Sequence, residues 1–162
     1  MDFMTKLVIL SAVTVLVYSA CDKGWSSYQN KCIYFSNTQL FWNEAEVACE
    51  KMHAFLVTID TEEKMNYITQ FLNVFSSFHY NHYWFGLKDA IQEGHWRWVE
   101  TGSDVGSYTK WMLGQPDGDI AQNCATTTWN GTDVYWMDAK CEGAHPGAHG
   151  GYYYICEKVA TS

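Results

Sequence analysis

Six cysteines constrain the fold of this chain more than any other feature of its sequence. All of them follow residue 20, and an even number is typical of a domain that folds in an oxidising compartment with three disulfides. No C-x2-C pair is present, which argues against a zinc site. Spacing alone leaves fifteen possible pairings. The cysteines are Cys21, Cys32, Cys49, Cys124, Cys141 and Cys156.

The first twenty residues have the composition of a secretory signal that is removed after export. Lys6 precedes an apolar run from Leu7 to Val17, which small residues follow. A helix needs about 20 apolar residues to span a bilayer, so this run is too short. We therefore expect residues 1–20 to be a cleaved signal peptide and residues 21–162 to form one secreted, extracellular domain with its own core.

The charge balance narrows the classes of partner. The chain carries 10 basic and 18 acidic residues, a net charge of −8, and Arg97 is its only arginine. Nucleic acids and anionic membranes attract basic surfaces, so the sequence argues against both as partners. Hydroxylated ligands, cations and mineral surfaces remain possible.

Two helical patterns precede a series of short strand patterns. Apolar residues from Phe41 to Met52 recur at three and four positions, with glutamates between them, which predicts an amphipathic helix. A second helix is predicted to begin at Asp60-Thr61, where Asp60 has capping-box spacing to Glu63. From His82 onward, short aromatic and β-branched runs alternate with glycine and aspartate and indicate strands. Two helices followed by a mostly antiparallel sheet make an α+β domain.

Several short motifs together resemble the C-type lectin-like domain, in its order and near its spacings. The resemblance covers essentially all of the chain after residue 20 and is closest to secreted single-domain invertebrate lectins such as perlucin-like proteins. It implies the disulfides Cys49–Cys156 and Cys124–Cys141, while a Cys21–Cys32 pair matches the long form of the domain. The motifs are Cys21 with Gly24-Trp25, the helix ending at Cys49, WFGL at Trp84 to Leu87, EGHWRW at Glu93 to Trp98, QPD at Gln115 to Asp117, WMDAKC at Trp136 to Cys141 and ICEK at Ile155 to Lys158.

The tripeptide Gln115-Pro116-Asp117 carries the functional prediction. In the family it supplies two side-chain oxygens to a calcium ion, with the proline held cis between them. Calcium takes about six to eight oxygen ligands, and open positions in its shell let two sugar hydroxyls complete it. The order amide-proline-acid is the family's mark of galactose-type preference. The resemblance thus implies that Gln115, Asp117 and Asp138 contact the carbohydrate as well as the ion.

Two positions depart from the family's calcium-binding pattern. Gln122 stands where a glutamate is usual, and Met137 stands where an asparagine is usual. Gln122 keeps an oxygen but loses a charge, and calcium does not use a soft thioether ligand. Asp119 lies in the same loop and could restore the missing charge. The predicted metal ligands are Gln115, Asp117, Asp119, Gln122 and Asp138, and the alternative is a vestigial loop.

Galactose-binding members also stack an aromatic ring on the sugar, where this chain has Gly118 and Ile120. Trp111 and the run Tyr152-Tyr153-Tyr154 are the candidates for this role, although aromatic residues in so aromatic a domain usually belong to its core.

Asn130-Gly131-Thr132 fits two interpretations. It is an acceptor for N-glycosylation in a secreted chain, and Asn-Gly is also the dipeptide that a hairpin turn favours. Both hold together if the hairpin tip is exposed.

The remaining motifs predict neither a further metal site nor a catalytic site. The spacings His79-x-x-His82 and His145-x3-His149 are predicted to be solvated loop histidines, because neighbouring metal ligands are scarce. No G-x-S-x-G or H-E-x-x-H motif is present, so we expect that the protein has no catalytic activity.

The sequence therefore predicts a secreted, calcium-dependent lectin whose partners are glycans, with galactose-type sugars first. We expect self-association, because a single solvent-exposed site binds a sugar weakly. The sugar exchanges hydrogen bonds with water for hydrogen bonds with the protein, with little net gain in free energy, and several linked sites bind more tightly than one. The alternative is a calcium-independent interaction module on the same fold, which meets a protein or a mineral surface.

Overall fold

The computed structural model describes residues 21–75, 82–118, 120–142 and 151–161, so the predicted signal peptide lies outside the described residues. Within these ranges the chain forms two helices and eight strands. The helices are α1 (Trp42–Lys51) and α2 (Glu62–Phe75), and the strands are β1 (Ser26–Tyr28), β2 (Lys31–Phe35), β3 (Phe55–Leu56), β4 (Tyr83–Lys88), β5 (Arg97–Trp98), β6 (Cys124–Trp129), β7 (Val134–Ala139) and β8 (Tyr153–Val159).

The strands form one sheet in the order β1-β2-β8-β4-β6-β7, with β3 paired to β8 and β5 paired to β4. All of these pairs are antiparallel except β4 with β8, which run parallel. Two helices with a mostly antiparallel sheet confirm the predicted α+β class.

All three disulfides have the pairing that the resemblance implies: Cys21–Cys32, Cys49–Cys156 and Cys124–Cys141. The second joins α1 to β8 across a sequence separation of 107 residues. A cross-link of that span stabilises a fold by on the order of 4–5 kcal/mol, because it restricts the unfolded chain. The third closes the open end of the β6–β7 hairpin.

Strand β4, which contains the WFGL motif, lies at the centre of the sheet and is almost entirely buried. The indole of Trp42 on α1 donates a hydrogen bond to the carbonyl of Phe85 (3.0 Å), so the helix is fixed against this strand. Gly86 has to be glycine, since a Cβ there would lie 2.5 Å from the Leu56 carbonyl oxygen. The motif is therefore explained by close packing between β3 and β4.

A buried ion cluster joins α2 to the sheet. Glu157 on β8 is fully buried, and its carboxylate lies 2.9 Å from the ammonium of Lys64 on α2. Lys31 on β2 pairs with the other carboxylate oxygen. Because a buried charge is tolerated when it is paired and hydrogen-bonded, the cluster fixes the position of α2 over β2 and β8.

The start of α2 lies at the predicted Asp60-Thr61, but the cap is Thr61 and not Asp60. The hydroxyl of Thr61 accepts a hydrogen bond from the Lys64 amide (3.2 Å), so Thr61 is the capping residue. Asp60 instead lies 3.6 Å from the Lys64 ammonium. Asp60 and Thr61 are both good capping residue types, so the capping-box spacing to Glu63 did not decide between them.

The end of α1 places a histidine in a conformation that favours glycine. His53 has φ +54°. Its amide donates to the Glu50 carbonyl, and the Ala54 amide donates to the Cys49 carbonyl (3.0 Å). These two bonds form a Schellman motif, in which the left-handed position is usually occupied by glycine.

We predict that His53→Gly stabilises the protein. The exposed histidine pays about 1 kcal/mol for its left-handed backbone, which glycine avoids. The melting temperature should rise by roughly 2–4 °C in a thermal scan with the disulfides intact. His53→Ala is the matched control, because alanine removes the imidazole but keeps the strained backbone. An equal gain from alanine would contradict the explanation.

Candidate functional site

The long irregular segment that contains Gln115-Pro116-Asp117 is anchored to β7 at its front. Trp136 donates its amide hydrogen to the Lys110 carbonyl (2.8 Å), and Met112 donates to the Trp136 carbonyl (2.8 Å). The Gln115 amide then donates to the Met112 carbonyl (2.8 Å), which closes a turn. The tripeptide is thereby held beside the second half of β7.

The other end of the segment is held by β6 and a neighbouring loop. Cys124 begins β6 and is cross-linked to Cys141. Just before it, the Asn123 carbonyl accepts a hydrogen bond from the Asp89 amide (3.2 Å), and the Asn123 side chain donates to the Ile120 carbonyl (3.2 Å). Both ends of the segment therefore meet the same hairpin.

Three of the predicted ligands form one hydrogen-bonded cluster. The Asp138 amide donates to Oε1 of Gln115 (3.3 Å), and the Asp117 amide donates to Oδ2 of Asp138 (3.2 Å). The Gln115–Pro116 peptide bond is cis, as the resemblance implies. The structure thus brings Gln115, Asp117 and Asp138 together although 21 residues separate the last two.

Gln122 joins this cluster as a hydrogen-bond donor. Its amide nitrogen lies 3.2 Å from Oδ1 and 3.4 Å from Oδ2 of Asp117. An amide nitrogen cannot ligate a cation, so Gln122 has to turn its side chain before its oxygen can do so. Met137 lies on β7 and is partly buried. The last predicted ligand, Asp119, lies outside the described residues.

Asp138 has the environment of a carboxylate that lacks a counter-charge. The residue is 1% exposed, and its Oδ1 is buried without a hydrogen-bond partner in the part of the chain that the structure describes. Burial raises the pKa of its carboxyl above the usual range, and the negative charge of Asp117 raises this pKa further. Both effects disfavour the ionised form, so a cation at this position would relieve them.

The donor set of this cluster is weaker than a set of carboxylates alone. Across the described ranges, no three histidine, cysteine, aspartate or glutamate side chains are grouped as a metal site. The cluster holds two carboxylates and two amides, all of which offer the oxygen ligands that calcium prefers. These residues therefore fit calcium with a net ligand charge of −2.

Asp89 is a buried acid that the sequence analysis did not single out. It follows β4, is 2% exposed, and its Oδ2 accepts a hydrogen bond from the Gly94 amide (2.8 Å). Its negative charge also contributes to the raised pKa of Asp138. The only sequence signal is an acid placed directly between a strongly apolar strand and a turn.

The aromatic candidates for sugar stacking belong to the core. Trp111 packs its ring against Trp96 (4.8 Å between centroids) and Trp136 (5.6 Å). In the tyrosine run, Tyr152 and Tyr154 are buried, and Tyr153 stacks on Tyr83. The apolar side chains exposed beside the tripeptide are instead aliphatic, Leu113 and Ile120.

The Asn130 hairpin is confirmed, but its connection is longer than Asn-Gly favours. Four residues, 130–133, join β6 to β7, whereas Asn-Gly is most typical of two-residue turns. The Asn130 side-chain oxygen accepts hydrogen bonds from the Thr132 hydroxyl (2.9 Å) and from the amides of Thr132 and Asp133 (both 3.0 Å). These bonds stabilise the longer turn, and Asn130 is exposed. Its glycosylation stays a prediction.

His82 is not the solvated loop histidine that was predicted. Its Nδ1 lies 2.8 Å from the Thr127 carbonyl oxygen, and its ring lies 4.7 Å from that of Tyr152. The short spacing to His79 gave no information about this tertiary contact. His79, His145 and His149 lie outside the described residues.

Comparisons with known proteins agree with this geometry. The profile of the Lectin C-type domain family matches residues 38–158. The chain is 32% identical to the hepatic lectin of Gallus gallus over 140 residues, which is 86% of this chain and 60% of that protein. It is 28% identical to a perlucin-like protein of Mytilus galloprovincialis, covering 94% of this chain and all of that one. The carbohydrate-recognition domain of the mouse scavenger receptor C-type lectin has a similar structure, with a TM-score of 0.73, 29% identity and coverage of 88% and 98%.

We predict that Asp138→Asn stabilises the calcium-free protein at pH 7. Because the folded-state pKa of this carboxyl is raised, the folded state binds its proton more tightly than the unfolded state does. Stability is therefore lost as the pH rises through the range between the two pKa values, and asparagine avoids this loss. Melting temperatures measured in chelator from pH 3 to pH 8 should show the advantage at neutral pH, and it should disappear below about pH 3.9. A variant that melts at or below the parent temperature at pH 7 would contradict the prediction.

Proposed function

This chain belongs to the C-type lectin domain family, and we propose that it binds carbohydrate through a calcium ion held by Gln115, Asp117 and Asp138. The observation that carries the proposal is the buried Asp138 carboxylate, whose Oδ1 has no hydrogen-bond partner among the described residues. Such a group is costly unless a cation or a donor compensates it. A calcium ion bound beside the tripeptide would do so.

Each ligand residue would have a distinct task at the site. Asp138 and Asp117 would supply the two negative charges that neutralise calcium, and Gln115 would supply an amide oxygen. Bound calcium would offer open coordination positions, which two neighbouring sugar hydroxyls can fill. In addition, Asp117 can accept a hydrogen bond from one hydroxyl while the Gln115 amide donates to the other. Gln122 would have to release Asp117 and present its oxygen as a weakened fourth ligand.

The preferred sugar class is galactose-type, because the tripeptide has the order amide-proline-acid. The apolar face of the sugar would meet Leu113 or Ile120, which are 100% and 78% exposed. Aliphatic side chains contact a sugar less specifically than a stacked aromatic ring does. We therefore propose a galactose preference that is modest, with avidity supplied by self-association of several copies.

The setting of the protein is part of the same proposal. We propose a secreted, extracellular glycoprotein that binds glycans without catalysis. Residues 1–20 are a signal that is cleaved, residues 21–162 form a single domain, and Asn130 is glycosylated. Two relatives are lectins by name or kind, the hepatic lectin and the mouse carbohydrate-recognition domain. In the described residues, neither helix is long and apolar enough to cross a membrane.

One observation favours the calcium-independent alternative. The Gln122 side chain donates a hydrogen bond to the Asp117 carboxylate through its amide nitrogen. The Met137 side chain offers no oxygen ligand next to Asp138. A loop that compensates its own acid in this way has less need of a cation. In that case the same loop would meet a protein or a mineral surface directly.

We predict that the protein is retained on immobilised galactose in calcium and released by chelator. Saturating calcium should also raise its melting temperature, because an ion that binds only the folded state stabilises it. Asp117→Ala should abolish both retention and the calcium-dependent shift, since it removes one of the two charged ligands.

Asp104→Ala is the matched control for this experiment. Asp104 is an exposed acid that pairs with Arg97 outside the cluster, so this variant has the same charge change and should behave as the parent does. Flow-through on both galactose and mannose, with no calcium-dependent shift, would support the alternative function. Retention of Asp117→Ala with release by chelator would show that the ion lies elsewhere.

A further inference from the structure

A cavity of about 210 Å³ lies between α1 and the segment that joins β4 to β5. None of the proposed calcium ligands lines it. Its charged lining includes both signs, and its inner wall is apolar. The residues that matter here are Glu46, Lys88, Asp89, Ile91, Arg97 and Trp98.

The basic side chains of the cavity have hydrogen-bonding capacity left over. Arg97, the only arginine of the chain, pairs with Asp104 through Nε (3.2 Å), and nothing else in the described residues accepts from its guanidinium. The Lys88 ammonium lies 4.0 Å from the Glu46 carboxylate, beyond hydrogen-bond distance, and 4.4 Å from the centre of the Trp42 ring. The Arg97–Asp104 pair is exposed and contributes little stability. An ammonium over an aromatic ring keeps N–H donors, so both cations can still donate hydrogen bonds to an acidic ligand.

The acids of the same cavity argue against a simple inorganic anion. Glu46 lies beside Lys88, and Asp89 is nearly buried at the end of β4. Their negative charge would repel a bare anion, but carboxylate oxygens accept hydrogen bonds from hydroxyl groups. The lining therefore matches a ligand that combines one acidic group with several hydroxyls.

The apolar part of the cavity matches the ring of a single sugar. Trp98 is 3% exposed and forms part of the wall, while Ile91 is 83% exposed at the mouth. Pockets for drug-sized molecules measure roughly 300–1,000 Å³, so this smaller cavity suits one monosaccharide.

From these contacts we propose that the cavity binds a sugar residue that carries a carboxylate, a uronic or a sialic acid. Arg97 and Lys88 bind its carboxylate, because a guanidinium forms two parallel hydrogen bonds with such a group. Glu46 accepts hydrogen bonds from its hydroxyls, and Trp98 with Ile91 contacts its apolar face. This binding does not depend on calcium, so the protein has two separate carbohydrate sites.

The test is a chemical-shift titration of the isotope-labelled protein in chelator, with one small molecule at a time. Glucuronic acid and N-acetylneuraminic acid represent the two classes of acidic sugar. Glucose and acetate are the controls, because glucose has the hydroxyls without a carboxylate and acetate has a carboxylate without the hydroxyls. We expect saturable shifts at Trp98 and its neighbours with at least one acidic sugar. Glucose and acetate should each bind at least about tenfold more weakly.

Variants separate the cavity from the calcium loop. Arg97→Gln and Lys88→Met should each weaken binding of the acidic sugar about tenfold, whereas Lys23→Met, which removes one exposed charge outside the cavity, should not. Asp117→Ala should bind the acidic sugar as the parent does, whether or not it still binds galactose.

Four results would overturn the proposal. Acetate that binds as tightly as the acidic sugars would make the cavity a plain anion site, and glucose that binds equally would remove the role of the cations. Shifts that are absent in chelator, or unchanged in both cavity variants with well-dispersed spectra, would exclude the cavity altogether.

Discussion

The Cys124–Cys141 disulfide fixes the hairpin on which the irregular half of the molecule depends. The segment before Cys124 has almost no regular secondary structure, so it takes its position from contacts with β6 and β7. At its front, Trp136 exchanges backbone hydrogen bonds with residues 110 and 112. At its end, the disulfide and the Asn123 carbonyl hold it to the hairpin and to the loop after β4. A loop that is held at both ends keeps its polar side chains in fixed positions, where they can bind a ligand.

Much of the fold could be predicted because its signals are local. The spacing of apolar residues in α1 and the even number of cysteines are such signals. The pairing of the cysteines, by contrast, was implied only by the resemblance. The sequence did not decide between Asp60 and Thr61 as the cap of α2, because two adjacent residues could both cap a helix. The four-residue turn at Asn130 arose because a side-chain hydrogen bond stabilised a longer connection than the dipeptide favours.

The candidate site was predictable only in part, because its decisive features are tertiary. The grouping of Gln115, Asp117 and Asp138 was anticipated from a resemblance, since the residue types do not by themselves indicate that positions 21 residues apart will meet. The burial of Asp89 next to this group had no comparable signal. The contact of His82 with Thr127 likewise depends on which strand lies beside it, and no local pattern records that.

Net charge proved to be a poor guide to local electrostatics. The chain is acidic overall, yet the cavity between α1 and β5 collects its only arginine and a lysine, while the tripeptide region collects carboxylates. The cavity also contains two acids, Glu46 and Asp89, so its charge is mixed. The average charge argues against nucleic acid as a partner but does not describe either region.

The two ends of the described chain are adjacent in the fold. Asp22 forms an ion pair with Lys158 (2.6 Å), and the Ala160 amide donates to the Asn30 carbonyl (2.9 Å). A short peptide could join these ends without displacing β2 or β8, and the chain could then be opened at an exposed turn such as residues 130–133. Such a circular permutant would keep every strand pair while changing the order in which the strands are synthesised.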